Sequence, residues 1–178
     1  MTKLAVFVGS LRKSSSNKML AEALKDSAPE GVEFEYINLR LPLYNEDVET
    51  AGIPEEVQKA KKLVEAADGV LFVTPEYNRS VPGVLKNAID WISRPYGQSS
   101  FAGKPVGIVG SSVGPVGTAV AQSDLRHIML FQGAKIMGQP EVYVANAYEV
   151  FGDDGAVLSE RWQKNFKQYI EAFIAWIK

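Results

Sequence analysis

The sequence contains no cysteine and a single histidine, His127, in 178 residues. The first absence excludes a disulfide framework, a thiolate nucleophile, a dithiol redox motif and a zinc–thiolate site. The second excludes a histidine-rich metal cluster. Neither charge is in excess: 19 Lys+Arg face 21 Asp+Glu, for a net charge of −2. That balance argues against a nucleic-acid surface, which needs clustered positive charge. No apolar run approaches the ~18 residues of a membrane-spanning helix. The run from Leu4 to Val8 is too short for a signal peptide and leads into Gly9-Ser10 instead of a cleavage site, so the cytoplasm is the expected compartment. In a chain with no export signal, the glycosylation pattern Asn78-Arg79-Ser80 reads as coincidence. A protein so equipped must borrow any redox or metal-like chemistry from a bound group.

What is present is ordinary globular material, 46% hydrophobic and 22% charged. One domain over residues 1–178 is expected, burying roughly 70% of its unfolded surface. Short apolar runs at Leu4–Val8, Gly69–Thr74 and Val106–Val109 read as strands buried on both faces, as in a parallel sheet. Phe34 and Tyr36 give a weaker strand signal, and either 134–137 or 142–144 supplies a fifth. Helical spacing appears at Met19, Leu20, Ala23 and Leu24, at Val57, Ala60, Val64 and Ala67, at Leu85, Ala88, Ile89 and Ile92, and around Leu125, Ile128 and Met129. A final helix from Glu160 carries Ile170, Phe173, Ile174 and Ile177, while residues 39–53 read as a long loop and 94–104 as a polar one. The alternation predicts an α/β fold: a five-stranded parallel sheet in the flavodoxin-like order 2-1-3-4-5, with helices on both faces.

Ligands of such sheets bind beyond the carboxyl ends of the strands, where the strand order switches. Three polar loops, 9–17, 74–82 and 110–118, fall there. The first, Gly9-Ser10-Leu11-Arg12-Lys13-Ser14-Ser15-Ser16-Asn17, offers hydroxyls, a guanidinium and the orphan N–H groups of a helix start to an anion. It is neither a dinucleotide-binding glycine fingerprint nor a P-loop, and suits a phosphate monoester better than a triphosphate. In the second loop, Pro75 and Pro82 stiffen a segment that can hold N–H groups and Tyr77 toward a flat heterocycle, with Ser80 placed to cap the next helix. The third, Gly110 to Thr118, permits close backbone approach.

Taken together, Gly9-Ser10-x-Arg12-x-x-Ser15-x-Asn17, Pro75-Glu76-Tyr77-Asn78 and Ser80-x-Pro82-Gly83-x-Leu85-Lys86-Asn87-Ala88-x-Asp90-Trp91 resemble the NADPH-dependent FMN reductases, in particular the branch of bacterial quinone and chromate reductases. The resemblance spans roughly residues 3–145. It implies bound FMN, NADPH or NADH as donor, and two-electron reduction of small-molecule acceptors: quinones, free flavins, azo compounds or metal oxyanions such as chromate. It puts the FMN phosphate on Ser10, Arg12, Ser15, Asn17 and the backbone near Ser16. The flavin ring would lie against Pro75, Glu76, Tyr77 and Asn78, with Ser111, Ser112 and Gly114 closing the other side. Glu76 would act through its backbone. A ping-pong cycle is expected, without a catalytic side chain, because the cofactor carries the hydride chemistry. The resemblance also implies a homodimer or homotetramer.

Two positions depart from the family pattern. Arg79 stands where relatives carry an aromatic or small residue, and either favours an anionic ligand or points away from the site. Gly117-Thr118 stands where many relatives show two glycines. His127, Asp124 and Arg126 read as a surface or subunit-contact flank, and Asp153-Asp154-Gly155 as a turn, since the spaced ligands of a calcium loop are missing. A flavodoxin-type one-electron carrier is the competing reading, but such carriers are usually strongly acidic. A phosphate-ester hydrolase or nucleotide-binding regulator built on the 9–17 loop ranks behind it, for want of a nucleophile or metal cluster.

Overall fold

The computed structural model describes all 178 residues. Strands β1 (Thr2–Val8), β2 (Val32–Tyr36), β3 (Gly69–Thr74), β4 (Pro105–Ser111), β5 (Lys135–Ile136) and β6 (Tyr143–Val144) form one parallel sheet. Its order is β2-β1-β3-β4-β5, with β6 also on β4. The fifth position is therefore filled twice. β5 pairs with the start of β4 and β6 with its end, so both segments that compete for it in the sequence are strands.

The helices are α1 (Ser16–Asp26), α2 (Glu46–Ala51), α3 (Glu55–Ala66), α4 (Gly83–Ile92), α5 (Ala119–Phe131), α6 (Ala147–Val150) and α7 (Glu160–Ile177). Successive side chains of a strand point to opposite faces. Accordingly Leu4, Val6, Leu71 and Val73 pack with α1 and α7, while Ala5, Phe7, Val70 and Phe72 pack with α3, α4 and α5. Leu20 and Leu24 are fully buried, each contributing roughly 1.5–3 kcal/mol of hydrophobic stabilisation. Gly107 lets α7 approach β4: a Cβ there would stand 2.8 Å from the Tyr169 hydroxyl and 3.1 Å from the Phe173 ring.

Three expectations need correction. Residues 39–53 are not all loop, because Asn45 caps α2 by accepting the Asp47 N–H at 2.9 Å. The polar 94–104 loop hides a core residue: Phe101 is fully buried against Phe7 and Phe72. Ser80 does not cap α4, whose cap position is Pro82; its hydroxyl instead donates to Asp124 Oδ2 at 2.7 Å, tying the second loop to α5.

Candidate flavin site

The register brings the three polar loops to one edge. Val8, Thr74 and Ser111 close adjoining strands β1, β3 and β4, and each loop leaves from there. Gly9 draws the first two loops together. Its N–H donates to Val73 O at 2.9 Å, and a Cβ on it would meet Pro75 Cδ at 3.1 Å.

In the first loop the backbone N–H groups of Leu11 through Ser16 donate to nothing within the protein. They precede the positive end of α1, whose cap is Ser15, accepting the Asn17 N–H at 3.2 Å. Ser10 and Ser15 are buried, and Arg12 is exposed with only a long 3.5 Å contact to Ser14 O. Buried hydroxyls beside a run of unused donors form a cradle for an anion. Asn17 is placed differently from the expectation of a direct ligand. Its Nδ2 donates to Ser111 O at 2.8 Å and its Oδ1 accepts the Ser111 N–H at 2.9 Å. It clips the first loop to the third, across 94 residues of sequence.

In the second loop, Tyr77 and Ser80 exchange backbone hydrogen bonds at 3.2 and 3.0 Å around Asn78 and Arg79. Both central residues have positive φ, 52° and 59°, the requirement of the tight hairpin turn that favours asparagine. The Glu76 carboxylate is turned to the start of α5, where Oε2 accepts the N–H groups of Val120 and Ala121 at 3.0 and 3.1 Å. Its side chain is thus engaged on α5 and not in the loop. Arg79 pairs with Glu76 Oε1 at 3.3 Å and is otherwise solvent-exposed. Tyr77 is half-exposed at the rim.

In the third loop, Ser112 Oγ donates to Gly114 O at 3.1 Å, and Ser111 Oγ is buried without any hydrogen-bond partner. Gly110 must be glycine, since a Cβ would collide with Thr118 and the Thr74 carbonyl. Thr118 adopts φ 69°, the left-handed conformation a second glycine would accept freely, and Gln122 Nε2 donates to its hydroxyl at 3.1 Å. His127 lies away from this edge, on the exposed face of α5 beside α4 residues Lys86 and Asp90. Arg126 pairs with Glu141 at 3.1 Å. No group of three or more His, Cys, Asp or Glu gathers to hold a metal.

The cradle and the orphaned Ser111 hydroxyl fit a phosphorylated, hydrogen-bonding cofactor, and known proteins give it an identity. The family model of NADPH-dependent FMN reductases matches residues 2–149. A 2-hydroxy-1,4-benzoquinone reductase from Burkholderia sp is 45% identical, covering 99% of this chain and 96% of that protein. A quinone reductase from Pseudomonas putida is 43% identical, covering 98% and 94%. The structure of FerB, a flavoenzyme NAD(P)H:(acceptor) oxidoreductase from Paracoccus denitrificans, superposes with a TM-score of 0.93 at 43% identity, covering 99% and 97%. The chain belongs to the NADPH-dependent FMN reductase family, with FMN and NAD(P)H as its cofactors.

Proposed function

We propose that this chain is an FMN-dependent NAD(P)H oxidoreductase whose acceptors are quinones, and that its flavin is held by the three-loop edge. The observation that carries the site is the unbroken run of unused N–H donors from Leu11 to Ser16 at the start of α1. Ser10, Arg12, Ser15 and Ser16 would bind the phosphate there, with Asn17 fixing the loop against Ser111. Pro75, Glu76, Tyr77 and Asn78 would line one side of the ring through their backbone and the Tyr77 face, and Ser111, Ser112 and Gly114 the other. The Ser111 hydroxyl gains a partner in this arrangement, which removes the cost of leaving it buried and unpaired.

Bound FMN supplies the hydride chemistry, and the chain positions it and shapes its surroundings. The Glu76 carboxylate, held on α5, keeps its negative charge off the ring. Quinones are favoured among the acceptors by the activities named for the Burkholderia and Pseudomonas relatives. No helix is long and apolar enough to cross a membrane. A homodimer or homotetramer is supported by exposed Tyr96, Leu130 and Phe131 around the α4–α5 face, apolar surface that a second copy would cover. Sedimentation velocity should give a mass above that of one chain.

Anaerobic rapid mixing of the FMN-loaded protein tests the reaction. NAD(P)H should be consumed in proportion to bound FMN before any quinone is added, and quinone added afterwards should be reduced. Consumption only when both are present together would overturn the ping-pong order. No quinone reduction at all would overturn the activity.

A further inference from the structure

A cavity of about 320 Å³ opens beside the first loop, between the carboxyl ends of β1 and β2. It reaches the lower bound of small-ligand pockets. Ile37, still bonded to the sheet through Val6 O at 2.9 Å, and Leu39 form its buried apolar floor with Val8. Ser10 belongs both to its wall and to the phosphate cradle. Two cations stand over it, Lys18 from the first turn of α1 and Arg40 from the segment after β2, and neither has an acidic partner. The Arg40 N–H donates to Asn38 Oδ1 at 3.0 Å, which fixes the backbone beneath the guanidinium. The one carboxylate in the wall, Glu22, is already engaged: it accepts the Tyr36 hydroxyl at 2.7 Å and faces Lys25 at 3.8 Å.

We propose that this cavity binds the adenosine 2′-phosphate end of NADPH, with Arg40 and Lys18 holding the phosphate and thereby setting the choice between NADPH and NADH. The proposal rests on the reading of the three-loop edge as the flavin site, because Ser10 and Leu11 of the first loop also line this cavity, so that the two sites adjoin. An apolar floor suits an adenine ring. Two unpaired cations suit a dianion, and arginine's planar fork can meet a phosphate with two parallel hydrogen bonds. A bare 2′-hydroxyl would leave both cations without a partner. The same logic operates in doubly wound dinucleotide sites, where an arginine accommodates the 2′-phosphate and an acid reads the free hydroxyl.

Calorimetric titration with adenosine 2′,5′-bisphosphate and with 5′-AMP, on the protein with and without FMN, tests this directly. The bisphosphate should bind at least about tenfold more tightly than 5′-AMP, and Arg40→Ala should remove about tenfold of that advantage. Arg40→Lys should retain part of it, and Lys18→Ala should lower it independently. In steady state, Arg40→Ala should raise the ratio of KM for NADPH to KM for NADH by a similar factor. Equal affinity for the two nucleotides, no binding of either, or an unchanged preference in a folded Arg40→Ala protein would overturn the proposal. Failure of the protein to take up FMN would instead overturn the flavin reading, while the titration without FMN still decides the cavity.

Discussion

Asn17 commits both ends of its carboxamide to the Ser111 backbone, and that choice makes it a positioning residue. Its neighbours in the same loop keep their donors free. The sequence shows an asparagine at a helix start, where capping and ligand binding are both natural; it does not show a partner 94 positions away. Glu76 is similar. Its backbone belongs to the loop while its side chain satisfies two orphan N–H groups of α5, a service no local motif announces. Asn78 and Arg79 are the central residues of a tight turn, because both hold positive φ. Asn17→Ala should destabilise the flavin-free protein by about 1–3 kcal/mol, since the Ser111 N–H and C=O lose their partner. It should also weaken FMN binding by loosening the first loop from the third. Urea unfolding and flavin fluorescence titration measure the two effects. A loss of FMN affinity at unchanged stability would mean that Asn17 touches the cofactor and does not act through Ser111.

At the scale of elements, the central strands were legible because burial on both faces writes continuous apolar runs, and helices α1, α3, α4, α5 and α7 because one-sided burial writes a helical period. Short elements were not. α2 presents no buried residue, so it carries no period, and β5 and β6 are two residues each, too short for any pattern. The last helix adds a pH dependence. Tyr169 of α7 is buried against β4 with no well-formed hydrogen bond to its hydroxyl, and burial pushes its phenol well above the ordinary range, against a weaker downward pull from Arg126. Below about pH 10 the phenol is neutral in both the folded and the unfolded chain. Above it the unfolded chain loses the proton and the folded one keeps it, so stability falls as pH rises. Tyr36, raised by burial and by Glu22, contributes with the same sign. Tyr169→Phe should flatten the alkaline fall in the urea midpoint and leave stability near pH 7 within about 1 kcal/mol, since the hydroxyl makes no well-formed hydrogen bond. An unchanged alkaline slope would contradict the assignment to Tyr169.

At the scale of the whole molecule, three loops separated by roughly a hundred residues meet at one sheet edge because β1, β3 and β4 are adjacent and parallel. That order was predicted from the alternation of strands and helices, and with it the meeting of the three polar loops at one edge. The chemistry of the edge was legible in part. The polar loops pointed to an anion, and the resemblance in residues 75–91 pointed to FMN. The cavity beyond β1 was not legible, because Lys18 and Arg40 are unremarkable surface cations until the sheet sets them around the same hollow. The near-neutral charge fits an enzyme of small molecules better than a carrier that docks electrostatically on protein partners.

The central claim is that a chain without cysteine and with one histidine acts through a flavin held at this edge. Titration of the flavin-free protein with FMN, followed by anaerobic NAD(P)H, tests it most directly. The account predicts saturation at one FMN per chain, bleaching of the flavin's visible absorbance by NAD(P)H, and strongly weakened uptake in Ser10→Asp, which sets a negative charge in the phosphate cradle. A protein that takes up no FMN, or one whose FMN binding is indifferent to Ser10→Asp, would contradict it.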